Sequence, residues 1–164
     1  MRSFSHVCAR LACLIVVLAV APAEASANRM DRVERTVIRK VNALRGADGL
    51  PALAGSRRLA RAADAHSRDM LRAQFFSHTS SNGQSAYDRV LSYRRASLMG
   101  ETLAYMPTQG DHSARNIVDM WMASPPHRAT LLTGGLRRIG VSRRTGTLYG
   151  RSVVMWTADL TSAR

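Results

Sequence analysis

The hydrophobic period of the chain changes once, near residue 138, and that change restricts the fold more than any other feature of the sequence. Upstream, Val33, Val37, Val41 and Leu44 recur at spacings of four, four and three, which places them on one face of a helix over residues 31–44. Gly46 and Gly49-Leu50-Pro51 end that helix. Ser56 is the expected N-cap of a second helix reaching about Gln74, with Leu59, Ala63, His66 and Met70 on one stripe. A shorter helix is expected over residues 85–93 with Tyr87, Val90 and Leu91 inward. Another, over residues 113–123, carries Ile117, Val118 and Trp121 and is broken by Pro125-Pro126. Downstream, residues 138–143 and 148–160 are rich in β-branched and aromatic residues, and Thr145-Gly146 offers turn chemistry, so an antiparallel hairpin is expected. Helices first and strands last predict an α+β fold, with helices packed on a small antiparallel sheet.

The N-terminal segment belongs to a different class. Arg2 and Arg10 precede the apolar run Leu11–Ala21, which is followed by Pro22 and the small-residue stretch APAEASA, the order of a secretory signal peptide. Eleven apolar residues fall short of the roughly 20 that a helix needs to span a bilayer. Cleavage after Ala27 is expected, leaving residues 28–164 as a single secreted domain. Cys8 and Cys13 both lie in the signal. The rest of the chain therefore has no disulfide and no thiol nucleophile, and packing alone must hold it.

The chain carries 24 Lys plus Arg against 11 Asp plus Glu, a formal charge of +13, and every cation except Lys40 is an arginine. Nearly all of this charge remains after the signal is removed. The arginines are spread as pairs (57-58, 94-95, 137-138 and 143-144) with few aromatics to stack on bases, so nucleic-acid binding is not expected. An exported cationic surface would meet anionic lipid head groups and acidic wall polymers, and that attraction would weaken with salt. A monomer is expected.

Outside the signal the chain has four histidines: His66, His78, His112 and His127. The H-E-x-x-H, C-x-x-C and G-x-S-x-G patterns and the glycine patterns of phosphate loops are absent. His66 reads as a packed core histidine, His112 as a solvated loop residue, Arg128 as a structural donor, and Trp121 and Trp156 as core. Ser124 with His127 offers a conceivable nucleophile and base, with no orienting acid or oxyanion hole identifiable beside them.

Three blocks remain: Phe75-Phe76-Ser77-His78, Gly100-Glu101-Thr102-Leu103-Ala104, and Trp121-Met122-Ala123-Ser124-Pro125-Pro126-His127-Arg128. In this order, over residues 33–160, they resemble the CAP superfamily in its bacterial form, the SCP domain shared with cysteine-rich secretory proteins, antigen 5 and plant pathogenesis-related proteins. The resemblance implies an α-β-α sandwich, an extracytoplasmic location, and a cavity formed by His78, Glu101 and His127, with Ser124 at its edge. Thr102 stands where the family usually has Asn. Ser124 stands where many eukaryotic members have a second Glu, leaving the family's tetrad incomplete. His78 and His127 would bind zinc or another divalent cation only weakly, because stable zinc sites use three or four protein ligands. Glu101 would either be a third ligand or hydrogen-bond a histidine. Lipid and sterol binding, and in a few cases protease activity, have been attributed to members of the family. The function expected is an extracellular binding module for a lipid, wall-derived or other small ligand, the alternative being a metal-dependent or serine-type hydrolase using the same cavity.

Overall fold

A computed structural model describes residues 30–163, so the expected signal peptide lies outside the described residues. Along the chain run α1 (Arg32–Ala47), β1 (Ala54–Gly55), α2 (Arg57–Ala73), α3 (Ala86–Tyr93), β2 (Met99–Pro107), α4 (Ala114–Ala123), α5 (Pro125–Leu131), β3 (Arg138–Leu148) and β4 (Arg151–Thr161). The helices start where side-chain caps satisfy the first free N–H groups. Asp31 and Glu34 form a reciprocal capping box on α1, and Ser56, Ser85 and Ser113 each accept the backbone N–H three residues on. Helix α1 runs three residues past the expected Leu44, and Gln74 closes α2 in the left-handed region at φ 55°.

The late change of period becomes a β3–β4 hairpin, as expected, but its turn lies elsewhere. Thr145 and Gly146 are paired within the ladder to Val154 and Val153. The chain reverses at Tyr149 and Gly150, whose φ angles of 49° and 75° are the pair of positive values a two-residue primed turn requires. Three further elements depart from the sequence reading. Pro125-Pro126 ends α4 but also opens α5, because proline at a helix's first turn gives up an N–H that would have no partner there. Residues 99–107 form β2, a strand that the sequence pattern does not announce. The two-residue β1 pairs parallel to β3, so the sheet, ordered β1-β3-β4-β2, is mixed. Tyr87 is exposed and Leu91 only half-buried, leaving Val90 as the buried apolar residue of α3.

Strand β4 sits between two helical layers and serves both. Val154, Trp156, Ala158 and Leu160 join Val37, Val41, Ile117 and Trp121 in the main core on the side of α1 and α4. Val153 and Met155 pack with Met70 of α2 and Leu103 of β2. On that same face Ser67 and Thr157 share a hydrogen bond of 2.9 Å. The architecture is the expected α-β-α sandwich. Helix α2 crosses β3 at Gly140, where an added Cβ would lie 2.0 Å from the backbone nitrogen of Ala60.

A second fixed point is Arg45, wholly buried with no carboxylate beside it. Its guanidinium donates to the carbonyls of Pro51, Leu131, Thr133 and Leu136, at 3.0, 2.6, 3.1 and 3.3 Å. It thereby ties the end of α1 to the end of α5 and the entry to β3. Burial, with a smaller contribution from the charge of Arg137, lowers its pKa from the ordinary value. Replacing Arg45 with leucine leaves these carbonyls without their donor and is expected to lower stability by about 3 kcal/mol. Urea denaturation followed by circular dichroism checks this, and a loss below about 1 kcal/mol would show that the carbonyls find other partners.

Candidate functional site

Strand β2 is the outer strand at one end of the sheet, and the predicted site gathers around it. Glu101, on β2, has a side chain only 2% exposed, and its two oxygens have separate partners. Oε1 accepts from His78 Nδ1 at 2.7 Å, and Oε2 accepts from Arg89 Nη2 on α3. Arg89 also donates to the backbone carbonyl of His78 and to Ser80 Oγ, so one guanidinium holds both the strand carrying Glu101 and the loop carrying His78. His66 braces the same loop through Nε2, which donates to Ser77 O at 2.8 Å. The expected reading of His66 as a packed, hydrogen-bonded core histidine holds: it is fully buried, and burial lowers its pKa.

Across the ladder the register partner of Glu101 is Asp159, wholly buried in β4. Two carboxyls so placed do not both ionise readily. Burial first, and then the charge of Glu101, push Asp159 well above the ordinary carboxylate range. Burial acts on Glu101 in the same direction but is outweighed by the His78 hydrogen bond and the Arg89 charge, so its pKa falls. Of the two, Glu101, which has a cation beside it, is the one that gives up its proton more readily.

His78 keeps 56% of its side chain exposed and, with Nδ1 turned to Glu101, presents Nε2 outward. His127 is half-buried on α5, and its pKa is lowered by burial and then by the charge of His78. A cleft of about 260 Å³ lies against β2, walled by Phe76, Leu103, Tyr105, Met120 and Trp121, with Ser124 and His127 among its polar residues. Phe76 and Tyr105 meet edge to face at 4.9 Å. His78 stands outside this wall, two residues beyond Phe76. Ser124 occupies the junction of α4 and α5, and its side chain does not cap α5. His112 is half-buried in the loop before α4 rather than fully solvated, and Arg128 is exposed.

Of the two roles expected for Glu101, third metal ligand or hydrogen-bond partner of a histidine, the geometry has the second. Both Glu101 oxygens are taken by His78 and Arg89, and among the described residues no group of three His, Cys, Asp or Glu side chains is placed to hold an ion. The donor set left for a cation is two imidazoles, which does not fit a resident zinc centre. The sequence reading missed Arg89 and Asp159. Neither lies in a motif block, and only the pairing of β2 with β4 brings Asp159 to Glu101.

A three-layered α-β-α domain of this kind is the fold of solved SCP-domain proteins. The chain belongs to the cysteine-rich secretory protein (CAP) family, matching it over residues 38–160. It is 31% identical over 128 residues to the Bacillus subtilis protein YkwD, an alignment covering 76% of this chain and 45% of that protein. The chain thus spans less than half the length of this curated relative. Its fold is shared with an extracellular SCP-domain protein from Bacillus anthracis (TM-score 0.65, 24% identity, 79% of this chain and 40% of the other). It is shared as well with an outer surface protein of Borrelia burgdorferi (TM-score 0.66, 19% identity, 79% and 92%).

The carboxyl pair makes a signed prediction. With its pKa raised in the folded state, Asp159 holds a proton that the unfolded chain releases above about pH 4, so its contribution to stability declines as pH rises. Asp159→Asn removes that decline. Its urea midpoint relative to the parent should be least favourable near pH 4 and improve as pH rises. A difference that stays constant with pH, or turns against the variant as pH rises, would place the proton elsewhere.

Proposed function

We propose that this chain is an exported binding module whose cleft beside β2 takes a small amphipathic ligand. The observation that carries the reading is the composition of the cleft. Phe76, Leu103, Tyr105, Met120 and Trp121 form an apolar wall, while Ser124 and His127 supply hydrogen-bonding groups at the same opening. A volume near 260 Å³ suits one acyl chain or a comparably slim group rather than a bulky ring system. Tyr105 and Met120 remain exposed, so apolar surface is available to a ligand without rearrangement of the core. Export is supported by the signal-like N-terminus and by relatives described as extracellular or outer-surface proteins. Among the described residues no helix is long and apolar enough to cross a membrane.

The oriented His78–Glu101 pair favours a second reading, a hydrolase in which His78 Nε2 acts as base. Ser124 would be its nucleophile, and no hydrogen bond joins Ser124 to either histidine. A divalent cation is a weaker element of either reading. Ac-ASP-7, which shares this fold at TM-score 0.55 and 15% identity, was solved with manganese bound. In this chain two imidazoles would hold such an ion loosely and exchangeably.

Binding of a fluorescent medium-chain fatty acid separates these readings. The parent chain is expected to bind it, and Met120→Asp, which places a charge in the apolar wall, should weaken binding by roughly tenfold or more with little change in stability. Turnover of an ester, peptide or peptidoglycan substrate that disappears in His78→Ala would instead establish the hydrolase.

A further inference from the structure

Helix α2 carries Arg57, Arg58, Arg61, Arg68 and Arg72 but only two acidic residues, Asp64 and Asp69. All five arginines are exposed, and four of them, at 57, 61, 68 and 72, follow one helical stripe about 22 Å long. The acidic residues neutralise only the C-terminal half of this stripe. Asp64 is buried and shared between Arg68 and Arg144, while Asp69 is held by Arg72 and by the N–H and hydroxyl of Ser81. Among the described residues Arg57, Arg58 and Arg61 form no ion pair.

The arrangement is unfavourable for the helix itself. Arg57 and Arg58 sit in the first turn, where the macrodipole favours anions and where this helix has no acidic residue. Arg57 with Arg61, and Arg68 with Arg72, are like charges one turn apart, a spacing that destabilises. An arginine-rich composition explains why cations here are arginine rather than lysine; it does not explain why Arg57, Arg58 and Arg61 cluster in the first half of one helix with no carboxylate paired to them. Helix α1, in the opposite layer, also carries Arg32, Arg35 and Arg39, but opens with the Asp31–Glu34 capping box.

The far end of the stripe leads into a cavity of about 480 Å³ between α2, the loop at residues 80–84 and α3. Arg68, Arg72, Asn82, Gln84 and Tyr93 are among the residues that line it, together with Asp69, whose carboxylate is held by Arg72 and Ser81. Hydroxyls, amides and a tyrosine beside guanidiniums are the groups that receive a hydroxylated anionic unit. A membrane is a poorer match. The exposed large apolar residues are Phe76, Tyr87, Leu98, Tyr105, Met120 and Tyr149, none of them on α2, so this face has no wedge to insert among lipids.

We propose that the arginine stripe of α2 and the adjoining polar cavity form a docking surface for a linear, hydroxylated polyanion of the cell envelope, a polymer of polyol-phosphate units. This surface is separate from the apolar cleft beside β2 and does not depend on what that cleft binds.

The test measures binding of the full chain to a glycerol-phosphate polymer at low ionic strength. Replacing Arg57, Arg58 and Arg61 together with glutamine should lower affinity by roughly 30-fold, and the dependence on salt should become shallower. The charge-matched control, glutamine at Arg32, Arg35 and Arg39, should change affinity by less than about threefold. Asn82→Ala with Gln84→Ala should weaken binding of the glycerol-phosphate polymer and leave binding of poly-glutamate unchanged. Equal losses in the two arginine triples would reduce the effect to net charge and overturn the proposal. So would binding to phosphatidylglycerol vesicles in place of the polymer, or no binding at low salt.

Discussion

Glu101 is the residue on which the arrangement of the site depends. Its carboxylate, buried in β2, joins two parts of the chain with little else in common, the loop after α2 through His78 and helix α3 through Arg89, and lies opposite Asp159 of β4 in the ladder. A carboxylate so deeply buried would be destabilising alone. Arg89 supplies the counter-charge, His78 supplies a hydrogen bond, and burial beside Glu101 raises the pKa of Asp159, which opposes a second charge there. The same groups that make burial tolerable also orient His78 with Nε2 outward. Structural satisfaction and the direction of the site are therefore one arrangement.

That arrangement also limits what the site can do. In the sequence, Glu101 can be read either as a third metal ligand or as the partner of a histidine, and its geometry favours the second role. With both Glu101 oxygens engaged, the histidines have no carboxylate to complete a coordination sphere. What lies beside them is an apolar cleft with hydrogen-bonding groups at its opening, a surface suited to holding a ligand. Across the sheet, Arg45 plays a comparable structural part without a counter-ion, using four carbonyls where Arg89 uses a carboxylate.

Much of this was legible in the sequence because the signals were local. Ser56, Ser85 and Ser113 mark helix starts through contacts three residues long, and the three motif blocks locate His78, Glu101 and His127 without knowledge of the fold. The parts that escaped are those whose causes are not local. Strand β2 lacks a polar–apolar alternation because residues 101–104 are buried on both faces, by α2 on one side and the main core on the other. Pro125-Pro126 reads as a stop, and only the position of α5 shows that it is also a start. The hairpin turn uses Tyr149 at positive φ, which residue preferences alone would not select over Thr145-Gly146. Arg89 and Asp159 became meaningful only once α3 and β4 were placed beside Glu101.

The account stands most directly on where the proton of the buried carboxyl pair resides. Carbon-13 spectra of the Glu101 and Asp159 carboxyl groups, followed from pH 4 to pH 8, measure it. The structure predicts that Glu101 loses its proton at lower pH than Asp159. An Asp159 that ionises before Glu101 would contradict it, and with it the assignment of Arg89 and His78 as the groups that hold the charge.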